Sequence, residues 1–211
     1  MMKSKKVSKI IEMIILFVIV PGLLALSIPV IIKLISVILA LVYVGIVTYK
    51  ERNLINFKID LKKPSKAFFK RVSIISVLIV LLGISIIQFV DPSLLFSVVK
   101  QKPMLWFMIL FVYAFLSVIP QELVYRGFFY NRYQSLFSNK QLFSILNVVC
   151  FSWCHLFLLN AWVMIITVLG GILFVYTYEK EKNILWTVVE HSLYGNLVFT
   201  LGLGQMLAFP G

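Results

Sequence analysis

Long apolar runs alternate with short polar stretches along most of the chain. Most of these runs approach the roughly 20 residues that an α-helix needs to cross a bilayer, and hydropathy therefore predicts seven spans. The predicted spans run roughly Ile10–Leu26, Pro29–Val47, Val72–Val90, Met104–Ile119, Leu142–Leu158, Ala161–Tyr178 and Ile184–Leu203. The fold class that this pattern predicts is all-α, a polytopic bundle of transmembrane helices.

The composition agrees with this prediction and excludes two other classes of protein. Of the 211 residues, 61% are hydrophobic and 13% are charged, with a mean hydropathy of +1.01. A soluble domain carries about 25% charged residues and covers its surface with polar atoms. A water-soluble globule is therefore excluded, and so is a disordered chain, because disordered chains contain little apolar surface.

The net charge of +12 is informative mainly through the distribution of the basic residues along the chain. A basic soluble protein would suggest nucleic acid, but no basic and aromatic groove or recognition motif is present, so we expect no nucleic-acid partner. All but three of the 20 Lys and Arg residues (Lys33, Lys100 and Lys102) fall in segments that the spans place on one side. The positive-inside rule makes that side cytoplasmic. We expect a multi-pass protein of the plasma (cytoplasmic) membrane, with the N-terminus inside and anionic lipid as a partner.

The longest polar stretch, from Tyr49 to Arg71, separates the first two predicted spans from the remaining five. It carries eight basic residues, namely Lys50, Arg52, Lys58, Lys62, Lys63, Lys66, Lys70 and Arg71. We expect a single membrane domain in which residues 1–103 hold the first spans and this basic loop, and residues 104–211 hold the later spans. A cleaved signal peptide is the alternative for the N-terminus, since small residues follow its apolar run at Ala25 and Ser27, but the second span that follows at once favours retention.

Ionisable residues inside spans are costly and are therefore the first candidates for function. Glu12 and Lys33 lie near predicted helix ends, where long side chains can reach the membrane interface. The remaining candidates in or next to the later spans are Glu122, Arg126, His155, Glu190 and His191, with Asn196 one turn further on.

Three of these candidates lie on three different predicted spans and could share one site. Glu122, His155 and His191 each need a polar partner in lipid, and together they could activate a water and stabilise an oxyanion. A divalent metal bound by the same three side chains is an alternative. Simpler alternatives are a salt bridge from Glu122 to Arg126, four residues later, and histidines bonded to neighbouring helices. A shared site requires the fourth helix to continue beyond Ile119 towards Tyr133.

The spacing of these residues is similar to that of a known family. Three motifs occur in order, which are Gln121-Glu122-Leu-Val-Tyr-Arg126, Phe151-Ser-Trp-Cys-His155 and His191-Ser-Leu-Tyr-Gly-Asn196. They resemble the Glu-Glu-x-x-x-Arg, Phe-x-x-x-His and His-x-x-x-Asn pattern of the CPBP family. That family comprises intramembrane proteases and includes the CAAX prenyl endopeptidases and the bacteriocin-processing or immunity-associated (Abi) proteins.

The resemblance implies hydrolysis of a peptide bond in or next to the membrane, with residues 104–211 as the catalytic core. It implies that Glu122 and His155 activate water, that His191 and Asn196 stabilise the oxyanion, and that Arg126 orients the carboxylate. The substrate would be a membrane protein or a lipidated or precursor peptide, and no cofactor is expected.

Two departures from the family pattern affect these roles. Gln121 replaces the first Glu of the pair, and an amide cannot be a general base, so Glu122 or else Glu190 must serve. Asn196 follows its histidine by five residues, and Gly195 holds the expected position. An inactive family member with an interaction or immunity-type role, and a small transporter or channel, therefore remain as alternatives.

Overall fold

The computed structural model describes residues 2–51 and 60–204, with side chains from residue 6 onward. Arg52 and Lys58 of the basic loop lie outside the described residues. Within the described part the chain is helical and contains no β-strand, which confirms the all-α class. Its α-helices are α1 Met2–Ile14, α2 Val20–Leu24, α3 Val30–Lys50, α4 Lys66–Val90, α5 Ser97–Gln101, α6 Pro103–Val112, α7 Ile119–Glu122, α8 Tyr130–Tyr133, α9 Lys140–Trp153, α10 Ala161–Glu181 and α11 Ile184–Leu201.

Six helices in the described part are long and apolar enough to cross a membrane, so the protein is an integral multi-pass membrane protein. They are Lys6–Leu24, Val30–Lys50, Lys66–Val90, Pro103–Leu136, Lys140–Leu158 and Ala161–Glu181. The seventh predicted span does form a helix, α11, but it is not among the six. It carries Glu190, His191 and Asn196, which lower its apolar character, and the count of seven spans stays a prediction.

The helix of the fourth predicted span continues beyond the predicted end of that span. The span was placed at Met104–Ile119 with the continuation left open, and the helix runs from Pro103 to Leu136. Two π-helical segments, Tyr113–Val118 and Leu123–Phe129, lie on either side of α7. The wider turn before Pro120 accommodates a residue that has no backbone N–H to donate. The continuation that a shared site requires is therefore present.

Several helices meet the bilayer with apolar side chains on their outer faces. Helix α3 has no buried residue, and Val30 and Leu39 in it are 70% and 62% exposed. In water such a surface would drive aggregation, whereas in lipid it is solvated by acyl chains.

Polar residues at the helix ends explain where several spans begin and end. The side chains of Ser65, Asn139 and Asn183 accept hydrogen bonds from backbone N–H groups in the first turns of α4, α9 and α11. These bonds satisfy donors that have no partner within the helix. Helix α11 ends at Gly202, whose φ of 103° favours glycine. A Cβ there would lie 2.0 Å from the carbonyl oxygen of Leu94.

The described chain separates into two compact units. The first unit comprises residues 1–57 and 123–176, and the second comprises residues 58–122 and 177–211, as far as they are described.

The first unit contains a polar cluster that the sequence did not predict. Nε and Nη2 of Arg132 donate to Glu12 at 2.5 and 2.7 Å, and Nη1 donates to Glu51 at 2.6 Å. The hydroxyl of Tyr133 also donates to Glu12, at 2.6 Å. Glu12, which was expected only to reach the membrane interface, is thus also paired with a buried arginine of a distant helix.

The second unit is built around α11, which packs against α4 and against α5, α6 and α7. The ring of Phe68 lies 5.8 Å from that of Trp186, and the indole N–H of Trp106 donates to Thr200 at 3.0 Å. Contacts at both ends of α11 therefore hold the helix that carries His191 in register.

Candidate active site

Glu122 lies at the C-terminal end of α7, between the two π-helical segments. Such π-helical turns are frequent at functional sites because they redirect side chains within a helix. The residue is fully buried, with 0% of its surface exposed. A carboxylate in this position needs partners, since burying an isolated charge is costly.

The structure brings Glu122 together with His191. Nδ1 of His191 lies 2.7 Å from Oε1 of Glu122, and the two side chains are 7% and 0% exposed. This contact joins α7 to α11, across 69 residues of sequence. Its length is typical of a charge-assisted hydrogen bond. The bond fixes the orientation of the imidazole ring.

Tyr113 is the third member of this group, and the sequence analysis missed it. Its ring meets the imidazole of His191 edge-on, with centroids 6.0 Å apart and planes 80° apart. The ring of Phe199 supports it at 5.0 Å. Only a tyrosine in an otherwise apolar run could have signalled this residue in the sequence.

Gln121 and Glu122 point in different directions, as neighbours on a helix must. The amide of Gln121 donates to Ser117 of its own helix at 2.8 Å. The carboxylate of Glu122 is the one that contacts His191.

Glu190 belongs to a second polar cluster in the same unit. Arg71 approaches it at 3.2 and 3.3 Å, Tyr194 donates to it at 2.9 Å, and Thr177 donates to it as well. Nη2 of Arg71 also donates to Thr177, at 2.5 Å. Arg71 had been assigned to the basic loop, and its place within α4 directly before an apolar run is the only sign of this role. A carboxylate with these three partners fits a structural role.

Replacing Arg71 by Met is expected to lower the free energy of unfolding by about 3 kcal/mol, because it leaves the buried Glu190 carboxylate without its cation. Thermal unfolding of the purified protein in detergent measures this loss. Lys70→Met is the matched control, since Lys70 is the exposed neighbour on the same helix and should change little. Adding Glu190→Gln to Arg71→Met should restore much of the loss, and failure of that restoration would contradict the pairing.

The remaining candidates have contacts within the first unit. Arg126 is fully buried, donates to the carbonyl of Gly171 at 3.3 Å, and lies over the ring of Phe151 at 4.5 Å. His155 lies in the segment Lys140–Leu158, as predicted, at the turn that follows the last residue of α9. Its Nδ1 is 2.8 Å from the carbonyl of Phe151. Because a carbonyl only accepts, Nδ1 is the donor in this contact.

Asn196 is half-buried on α11, and its Oδ1 has no hydrogen-bond partner among the described residues. Within residues 2–51 and 60–204, no group of three or more His, Cys, Asp and Glu side chains is arranged to hold a metal ion.

Glu122, His191 and Tyr113, all in the second unit, together provide an acid, a base and a hydrogen-bond donor. Glu122 and His191 form a buried acid–base pair, and Tyr113 adds a hydroxyl that can donate a hydrogen bond. A pair of this kind can take a proton from water, and its low exposure strengthens each electrostatic interaction.

Comparison with known proteins gives one match. No curated protein and no solved structure matches the chain. Residues 103–197 match the model of the family described as type II CAAX prenyl endopeptidase Rce1-like. This segment contains Glu122, His155 and His191, and the match confirms the resemblance drawn from the three motifs. Over residues 103–197, the chain is similar to the Rce1-like type II CAAX prenyl endopeptidases.

Proposed function

We propose that the protein is an intramembrane endopeptidase that hydrolyses a peptide bond with water activated by the Glu122–His191 pair. The observation that carries this proposal is the 2.7 Å contact between the two buried side chains. Both residues lie in the segment similar to CAAX prenyl endopeptidases. The pair has the composition and geometry of a general base, as hydrolysis requires.

The chemical step follows from the hydrogen bond between the two residues. With Nδ1–H donating to the carboxylate, Nε2 of His191 accepts a proton from water. The oxygen of that water forms a bond to the carbonyl carbon, and the carbonyl electron pair moves onto its oxygen. When this oxyanion collapses, the C–N bond breaks, and the pair returns the proton to the leaving amine. The products are a carboxylic acid and an amine.

Further roles are proposed from the motifs. His155, from the Phe-x-x-x-His motif, assists in activating the water. Arg126 orients the motif-one carboxylate, and Asn196 contributes to binding the oxyanion. These roles predict that each residue matters for cleavage.

The proposed substrate is a membrane protein or a lipidated or precursor peptide. A prenylated peptide is the first to test, because the matching family is described as prenyl endopeptidases. The proposed location is the plasma membrane, with anionic lipid against the basic loop. No nucleic acid and no cofactor are proposed as partners.

The second candidate is an inactive family member that acts through interaction, and Gln121 favours it. The two candidates differ in one experiment, in which the purified protein in anionic liposomes receives prenylated, non-prenylated and transmembrane peptides. We expect the wild type to cleave at least one of these peptides and EDTA to leave the rate unchanged. If the wild type cleaves none and Gln121→Glu gains activity, the second candidate replaces the first. Loss with EDTA that zinc restores would instead support the metal alternative.

A further inference from the structure

One turn after His191, the same face of α11 carries a glycine, Gly195, in place of a polar side chain. Successive residues of an α-helix are 100° apart, so position 195 is about 40° from His191 and position 196 is about 140° away. Position 195 therefore lies closer to the face of His191 than position 196 does. The residue at 195 is a glycine, which offers no side chain to the site.

Tyr113 fills the space above Gly195. A Cβ built on this glycine would lie 2.2 Å from Cε1 of Tyr113 and 2.3 Å from both Cζ and the hydroxyl oxygen. The hydroxyl end of the phenol thus stands where a side chain at position 195 would begin. The same ring lies edge-on to His191 and is supported by Phe199.

We propose that Tyr113 is a catalytic residue whose hydroxyl donates a hydrogen bond to the oxyanion, in the place that Gly195 leaves open beside His191. This inference rests on the proposed endopeptidase function. A phenol is a neutral hydrogen-bond donor, and neutral donors placed in advance where negative charge develops are an effective means of stabilising an oxyanion.

The step needs no further reactant. As the water oxygen bonds to the carbonyl carbon, the carbonyl electron pair moves onto its oxygen, and the O–H of Tyr113 donates to that oxygen without losing its proton. When the C–N bond breaks, the electron pair returns to form the carbonyl of the product, and the hydrogen bond weakens again.

The test compares kcat and KM of wild type and Tyr113→Phe in the liposome assay. Removing an oxyanion donor lowers kcat by about 10²–10³-fold, and KM should stay nearly constant because the donor acts in the transition state. The phenylalanine ring preserves the contacts with His191 and Phe199, so the protein should fold. Tyr178→Phe, which removes the hydroxyl of another buried tyrosine of the second unit, is the control and should retain activity.

An exchange of side chains tests the shared space directly. Gly195→Asn alone should be inactive and less stable, since its side chain meets the Tyr113 ring. Combining it with Tyr113→Ala removes the ring and supplies an amide donor. The double variant should be at least tenfold more active than Tyr113→Ala alone.

The outcomes separate the two claims. If the wild type cleaves and Tyr113→Phe keeps its kcat, the inference is overturned and the proposed function stands. A wild type that cleaves no peptide overturns both claims. A loss of activity that appears only as a higher KM also overturns the inference, because it would indicate a role in substrate binding.

Discussion

Glu122→Gln is expected to lower kcat/KM by about 10²–10⁴-fold, which is the usual contribution of a positioned general acid or base. The amide keeps the size of the side chain and can still accept a hydrogen bond from Nδ1 of His191, 2.7 Å away in the wild type. It cannot stabilise an imidazolium as a carboxylate does, so the pair loses its ability to take a proton from water. The rate of peptide cleavage in liposomes measures the effect.

Two neighbouring positions provide the controls for this variant. Gln121→Ala changes the adjacent residue, whose amide bonds only to Ser117 in the contacts described, and it should lose less than tenfold. Glu190→Gln changes another buried carboxylate, and it should act on stability more than on the rate. If Glu122→Gln retained full activity while Glu190→Gln lost it, the base would have to be reassigned to Glu190.

His191→Ala is the second large effect, with an expected loss of activity of about 10³-fold or more. The change removes the proton acceptor and leaves the buried carboxylate of Glu122 without this partner. Part of the effect is therefore on stability, because an uncompensated buried charge is costly. Cleavage rates and thermal unfolding should be measured on the same preparations to separate the two.

A more conservative variant distinguishes catalysis from folding at this position. His191→Gln keeps a hydrogen-bond donor for Glu122 but has no basic nitrogen. We expect it to unfold near the wild-type temperature and yet to be inactive. An active His191→Gln would show that the imidazole does not transfer the proton.

The all-α class and most helix positions could be predicted from the apolar runs, since the bilayer fixes both the length and the composition of a span. The end of the fourth helix could not be predicted in this way. Pro120 is a sign of a break in most helices, but here a π-helical turn accommodates it, and the helix continues to Leu136. A choice between these outcomes depends on tertiary contacts that local sequence does not contain.

Charge counting was the second weak point of the sequence analysis. Arg71 was assigned to the basic loop, and Arg126 and Arg132 were counted among the basic residues of the cytoplasmic side, with Arg126 also a candidate for the site. Arg126 and Arg132 are buried and Arg71 is mostly so, each against a partner distant in sequence. The sequence gives the charge of each residue, but only the fold determines which partner that residue contacts.

The pairing of Glu122 with His191 was predicted as part of a wider cluster because buried polar residues need one another in lipid. The choice of Glu122 over Gln121 also follows from basicity alone. The position of Tyr113 could not be predicted, because tyrosines in apolar helices are common and nothing local connects residue 113 to residue 195.

The most direct test of the account is a double-mutant cycle on Glu122 and His191. kcat/KM is measured for the wild type, Glu122→Gln, His191→Gln and the double variant on one cleaved peptide. Residues that act as a unit give strongly non-additive losses. The account predicts that kcat/KM of the double variant lies within about threefold of that of the less active single variant. Losses that multiply would contradict it, because they would show that the two residues contribute to cleavage independently.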